Sequence, residues 1–459
     1  MTGRDTPHSE SPRRDLTGTV DQRIVRWLVL GGILWCVSLL IQSSALAIAT
    51  YVLLATAVLC RIVVRHWAAS VEAERRCNVY SARVGERVTV VVRVVNRSRL
   101  PIPWALLEDI LPVRAVRGRP PRLKITGKPL TAVSIGRGKA VSAVYQVECL
   151  ERGFYQLGPL VVEVGDPFGL ERRYRIVTEP HFLLVYPQVT TLEEWDIATR
   201  KPVGEVRLSH RLFEDPTRIS GVREYQAGDP LNRIHWRATA RTGTLHSKLF
   251  EPSVIAGATI LIDFHKEAFP SGTVPMRSEL AVRMAASLAY ALTQMNEQLG
   301  LISNGWDAVD LARLEGWDPD PSSRLAARRS VEAAEQVDRL APIVVPNRRG
   351  AEQFQRILEM LARLELSEGL PFRELVHETI QHIPQNAAAI VLLSSVGEEH
   401  LVAVEMLQRR GIPVTLIIND HREDSLAKAA AYLAGSGVDL RVLQTPDDVA
   451  SLCRRYVWR

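Results

Sequence analysis

The chain has little of what builds covalent or metal scaffolds. Its 459 residues include five cysteines, Cys36, Cys60, Cys77, Cys149 and Cys453, none in a C-x-x-C pair. An odd, dispersed set of thiols excludes a disulfide framework and a cysteine-based zinc site. Catalytic signatures are missing too: there is no Gly-x-Ser-x-Gly elbow and no cysteine with a nearby histidine to activate it. "SIGRGKA", Ser134–Ala140, lacks the Walker spacing and the strand-to-helix context of a phosphate loop, and predicts a hairpin turn. His377-Glu378 and His382 are five residues apart instead of four, which turns the imidazoles away from each other on a helix and makes them surface residues. A strong charge excess is also lacking. The net charge of +6 suits a neighbour of an anionic membrane or an acidic partner and is too small to argue for nucleic acid.

Charge itself is missing from Trp27 to Cys60. The run breaks at Gln42-Ser43-Ser44 into two apolar pieces, Trp27–Ile41 and Ala45–Val64. One span of about 20 residues would leave much of this stretch unexplained, so a transmembrane helical hairpin over residues 24–66 is expected. Arg4, Arg13, Arg14, Arg23 and Arg26 precede it, Arg61, Arg65, Arg75 and Arg76 end or follow it, and the turn carries none. The positive-inside rule then places both ends, and the bulk of the chain, in the cytoplasm of a multi-pass membrane protein. Residues 1–23 read as a disordered cytoplasmic tail.

What is present after the hairpin changes texture once. Over residues 70–190, "RVTVVVRVVN", "AVSAVYQVECL" and "FYQLGPLVVEVG" predict a small antiparallel β-sandwich. Asn96-Arg97-Ser98 is a glycosylation sequon by pattern, without meaning in the cytoplasm. Residues 191–255 read as a linker and a dense motif. Over 256–459, the apolar runs Ala258–Phe264, Ala387–Ser395, Ile412–Asn419 and Val438–Gln444 alternate with helical patterns at Arg277–Gln298, Glu398–Arg410, Arg422–Leu433 and Asp447–Tyr456. That alternation predicts a parallel sheet covered on both faces. Trp306 to Gly350, rich in Asp, Pro and Arg, reads as a long insertion.

Three segments, "GERVTVVVRVVNRSRLPIPWALLED", "RGFYQLGPLVVEVGDPFGL" and "REYQAGDPLNRIHWRATARTGTLHSKLFE", resemble the bacterial family called domain of unknown function 58. The resemblance covers nearly all of the chain after Val64. It implies a membrane hairpin, a β domain and an α/β domain of von Willebrand factor A-like (Rossmann-like) fold. It also implies association with a MoxR-type AAA+ ATPase and with a transglutaminase-like membrane protein. The family supplies no reaction and no cofactor.

Von Willebrand A domains often hold a divalent metal through Asp-x-Ser-x-Ser at the end of the first strand. Here that place reads Asp263-Phe264-His265-Lys266-Glu267: the Asp stands, both serines are gone, and Lys266 brings a cation of its own. At the fourth strand, where an Asp often follows, Ser394-Ser395 stands instead. Asp263, Ser394 and Ser395 therefore read as a degenerate, metal-free site that still marks a contact surface.

In Arg223–Thr242, Arg223, Glu224 and Tyr225 end a strand, and Gly228 precedes Asp229-Pro230, which has the form of a helix N-cap and first-turn pair. Gly243 is the expected C′ residue. Arg233, Arg237 and Arg241 then form an i, i+4 stripe. Paired with Glu224 and Asp229 the stripe would be a structural clasp, the favoured expectation; open to solvent it would bind an acidic partner or phosphate. Trp236 is expected to pack on the main sheet. The resulting expectation is a non-catalytic, membrane-anchored adaptor for a MoxR-type AAA+ ATPase in envelope-related assembly. Its rivals are a metal-dependent hydrolase using Asp263 and a nucleic-acid-binding protein.

Overall fold

The computed structural model describes residues 22–41, 43–193, 213–225, 234–253, 257–270, 272–309, 341–385, 387–420, 423–433 and 438–453. Among these, one compact unit comprises the chain up to Leu150 together with Phe154–Val185, and a second comprises Glu151–Gly153 and the chain from Tyr186 onward.

The first unit begins with two apolar helices, α1 (Gln22–Ile41) and α2 (Ser44–Ser70). Ser43 separates them and caps α2, its hydroxyl accepting from the Leu46 amide. Gly31 lets α1 back directly onto the Leu54 side chain. Among the described residues one helix, α2, is long and apolar enough to cross a membrane. Its last turns leave that apolar run and bury Val64 and Trp67 in the β core.

The strands that follow are β1 (Val71–Cys77), β2 (Ser81–Arg83), β3 (Arg87–Asn96), β4 (Ile102–Asp109), then, past a short helix α3 (Val113–Arg117), β5 (Leu123–Gly127), β6 (Leu130–Ile135), β7 (Ala140–Cys149), β8 (Gly153–Leu157), β9 (Leu160–Gly165), β10 (Arg172–Thr178) and β11 (His181–Tyr186). They form sheets of order β1-β3-β7-β5 and β10-β9-β4-β6, with a three-stranded β2-β11-β8. Alternate residues of β3, Val88, Val90, Val92 and Val94, face Ala105 and Leu107 of β4 and Val162 and Val164 of β9 in one core, the period-two signature of a half-buried strand.

Two sequence expectations change here. The Gly136–Lys139 turn joins β6 of one sheet to β7 of the other, so it is an inter-sheet turn and not a hairpin. Asn96 is fully buried, and its amide nitrogen donates to the carbonyls of Leu100, Ile135 and Gly136; the sequon asparagine is a structural pin.

The second unit starts with an antiparallel ribbon, β12 (Phe213–Glu224) and β13 (His246–Ser253), that flanks helix α4 (Trp236–Thr242). An α/β layer follows: β14 (Gly257–Ile262), α5 (Val274–Gln294), β15 (Gln298–Ser303), β16 (Trp306–Asp307), β17 (Ile343–Arg348), α6 (Ala351–Arg363), β18 (Leu364–Glu365), α7 (Phe372–Thr379), β19 (Ala388–Leu393), α8 (Glu398–Arg409), β20 (Val414–Ile418), α9 (Glu423–Leu433), β21 (Asp439–Val442) and α10 (Asp448–Ser451). The six-stranded sheet runs β17-β15-β14-β19-β20-β21, parallel except for the edge strand β17. β14, β19 and β20 are buried at every position, as strands covered on both faces must be. The segment read as an insertion, Trp306 to Gly350, contributes the short strand β16 and the edge strand β17 to the fold, and Ile343 and Val345 of β17 join the core.

Candidate functional site

The residues that directly follow the four central parallel strands are polar: Asp263 after β14, Asn304 after β15, Ser394-Ser395 after β19, and Asn419-Asp420 after β20. β14 lies between β15 and β19, so the order of the sheet reverses at Asp263, the position where open α/β sheets form their crevice.

Asp263 is buried at this point, 2% exposed, and both oxygens of its carboxylate take part in hydrogen bonds. Oδ1 accepts from the His265 amide at 3.1 Å and from Asn304 Nδ2 at 2.8 Å. Oδ2 lies 3.1 Å from His400 Nε2. The tautomer follows from the other ring nitrogen, because His400 Nδ1 accepts from the Gly397 amide at 3.1 Å. Nδ1 is thus an acceptor and the Nε2–H donates to Asp263. His400 is the third residue of α8 and makes the returning half of a capping box, its imidazole accepting from the Gly397 amide in place of the usual Glu. The pair fastens the first turn of α8 to the end of the central strand. Asn304 extends the net, accepting from the Phe264 amide at 2.6 Å and donating to the Leu370 carbonyl at 2.9 Å.

A second buried net lies at the ends of β19 and β20. Arg277 of α5, 4% exposed, donates to Asn419 Oδ1 at 3.0 Å and to the Gln444 carbonyl at 3.1 Å. Asn419 returns a bond to the Arg277 carbonyl at 2.7 Å and touches the buried Ser394 hydroxyl at 3.4 Å. Ser395 is half-buried beside it.

A general base needs a free lone pair, and both ring nitrogens of His400 are occupied. A hard divalent cation needs about six oxygen ligands, and among the described residues no cluster of three His, Cys, Asp or Glu could hold a metal. Lys266 pairs with the exposed Glu368 carboxylate; that partner holds its ammonium charged by raising its pKa above the usual lysine value. His377 and His382 are exposed. Sequence reading found Asp263 and Ser394 and missed Asn304, Arg277, Asn419 and His400. The one local signal for His400 was its place three residues after Gly397 at a helix start.

The second candidate place is the β12–α4–β13 motif. Strand, helix and strand occur in the expected order, and Gly243 takes the left-handed conformation at φ 77° to end α4. The start differs: His235 caps the helix, Nδ1 accepting from the Ala238 amide at 3.0 Å, so α4 begins six residues after the Asp-Pro pair. Gly228, Asp229 and Arg233 lie outside the described residues. Trp236 is 68% exposed and does not pack on the main sheet, because the helix starts at it with its face turned outward. Arg237 and Arg241 sit one turn apart on the exposed face and make no ion pair among the described residues; Asp229, the other partner the clasp would use, lies outside them. Arg223 is half-buried and Glu224 exposed at the end of β12, and the Tyr225 amide donates to the Leu245 carbonyl at 2.8 Å. Arg237→Glu is therefore expected to melt within about 1 kcal/mol of the parent, as exposed charges do. A melting point lower by many degrees would restore the clasp.

Comparison with known proteins bears on this same motif. Residues 221–312 match the family described as Protein of unknown function DUF58. The chain is also similar to the "Uncharacterized protein YeaD" of Bacillus subtilis (strain 168), 25% identical over 240 residues, 51% of this chain and 56% of that one. The match thus spans little more than half of that relative. Solved structures align weakly. The CARDB domain of a Pyrococcus furiosus protein covers 25% of this chain and 86% of its own at 14% identity and a TM-score of 0.17. The pilus adhesin SpaC of Lactobacillus rhamnosus GG covers 42% and 28% at 10% identity and a TM-score of 0.28. Neither likeness is close enough to bear on function.

Proposed function

We propose that the chain is a membrane-anchored, non-catalytic interaction module whose α/β unit is von Willebrand factor A-like. The observation that carries this reading is the closed Asp263 carboxylate: three donors occupy it, leaving the strand-end crevice to act as a surface instead of a reaction centre. The sheet order, with β14 and β19 at the switch point and β17 antiparallel at one edge, supports the doubly wound fold. The α1–α2 pair serves as a transmembrane hairpin with the arginines that flank it on the cytoplasmic side. In this reading the partner is a MoxR-type AAA+ ATPase and the setting envelope-related assembly, as the family resemblance implies. A transglutaminase-like membrane protein belongs to the same assembly.

Two measurements test it. Capture of the full chain in mild detergent, with cross-linking and with or without ATP, is expected to recover an AAA+ ATPase. Consistent recovery of none would remove the adaptor reading. The hydrolase reading, which Asp263 at a strand end favours, is tested by melting in Mg²⁺ and in chelator. A resident site at 1,000 times its Kd adds about 4.1 kcal/mol. The expected result is no shift, and a shift of several degrees that Asp263→Ala removes would revive the enzyme.

A further inference from the structure

The turn between β9 and β10 is built around a buried carboxylate and presents an aromatic ring to the outside. Asp166, 2% exposed, accepts from the Phe168 amide at 2.7 Å and from the Glu171 amide, so the loop Asp166–Leu170 is fixed from within. At its tip Phe168 is 72% exposed, a large apolar side chain with no packing role. Beside it Trp104 lies over Gly165 and donates its indole N–H to the Asp166 carbonyl at 3.1 Å, and the Arg172 guanidinium stacks 5.5 Å from the Trp104 ring.

The position of this turn along α2 gives it meaning. Arg61, the first charge after the apolar run, lies 3.9 Å from Glu171, which directly precedes β10. At the other end of the contact, Arg175 donates to the Ala69 carbonyl at 3.0 Å and to the Ala68 carbonyl at 3.4 Å near the helix terminus. Eight helical residues rise about 12 Å and four strand residues about 13 Å, so β10 runs alongside the last turns of α2. The β9–β10 turn is therefore level with Arg61, and its tip projects toward the apolar run. The 17 residues from Ser44 to Cys60 rise about 26 Å, close to the thickness of a bilayer's hydrocarbon core.

We infer that the β9–β10 turn is an interfacial anchor: Phe168 enters the headgroup–acyl boundary of the bilayer that α2 crosses, while Trp104 and Arg172 lie at the level of the lipid phosphates. This rests on the reading of α2 as a membrane span. An aromatic ring with an indole and a guanidinium behind it is the chemistry that a membrane interface selects, apolar at the tip and polar at the base. The anchor would hold the first unit against the lipid at a second point besides the helix, restricting its rotation about α2.

The test uses the full chain in vesicles of phosphatidylcholine and phosphatidylglycerol. An environment-sensitive fluorescent amino acid replaces Phe168, Val58 of α2 or Tyr80 in three separate proteins. Tyr80 is exposed and its ring lies tilted against His181, beyond the far end of β10, and so reports the water-facing side. Expected are blue-shifted emission and several-fold stronger quenching by spin-labelled lipid at 168 than at 80, with 58 quenched as well. If position 58 is quenched and 168 behaves like 80, the anchor is wrong and the span stands. If 58 is also open to aqueous iodide, the span reading falls and the anchor with it.

Discussion

Arg75→Ala is expected to unfold the β unit at a temperature lower by roughly 10–20 °C, the largest single effect in that unit. Arg75 on β1 grips the Asp109 carboxylate with two nitrogens, Nε to Oδ2 at 3.2 Å and Nη2 to Oδ1, and both side chains are 5% exposed or less. Asp109 ends β4 in the facing sheet, and the Tyr145 hydroxyl of β7 donates to the same carboxylate at 2.7 Å. The triad thus pins one sheet to the other across the core. Removing the cation strands a buried carboxylate, and breaking such a pair costs about 3–5 kcal/mol.

The graded series makes the argument testable. Tyr145→Phe removes one bond to a charged acceptor and should cost about 1.5–3 kcal/mol. Arg75→Ala with Asp109→Ala should cost less than the two single changes added together, since no unpaired charge remains. Lysine cannot restore the fork, because a point charge does not match both oxygens. Burial first, then the neighbouring Asp109, pushes the Tyr145 phenol well above its ordinary value of 10.0. A raised folded pKa means that this contribution is complete below pH 10.0 and is lost as pH rises above it. Tyr145→Phe should flatten that alkaline loss. A double change as damaging as the summed singles would show that the pair is not coupled.

What the sequence disclosed and what it concealed divide along a physical line. The valines of β3 alternate because one face of a sandwich strand is wet, and that pattern is written locally. Gly243 was legible for the same reason: a left-handed residue ends a helix through its own backbone. The start of α4 was not. His235 caps it, with the His235 amide bonded to the His246 carbonyl where the helix leaves the ribbon, and no local pattern marks a histidine for that place. Composition assigns Trp236 to the core, whereas its exposure depends on which way the helix faces. His400 was the hardest to find. Its partner Asp263 is 137 positions away, and only the parallel pairing of β14 and β19 brings them together.

That pair gives the second large expected effect. Asp263→Ala strands the His265 amide, the Asn304 amide and the His400 Nε2–H at once. Each buried donor left alone costs about 1–3 kcal/mol, and water reaching the edge of His400 holds the total to about 3–5. In a unit of this size the melting point should fall by about 6–15 °C. Asp263→Asn is the sharper probe. The new amide can keep an oxygen toward Asn304 and His265, but then turns N–H groups on the Nε2–H of His400. Changing the histidine tautomer only moves the conflict, because Nδ1–H would then face the Gly397 amide. Asp263→Asn should thus cost about 1–3 kcal/mol although the side chain keeps its shape. His400→Ala, which frees the Gly397 amide and one oxygen of the buried Asp263, should cost about 1–3 kcal/mol. Damage that is greatest in Asp263→Ala and smaller in both Asp263→Asn and His400→Ala belongs to a carboxylate that serves the fold. Carboxylates held open for a ligand or a reaction behave oppositely, since relieving their strain tends to raise stability. A melting point unchanged or higher in Asp263→Ala would make Asp263 a working group and end the non-catalytic reading.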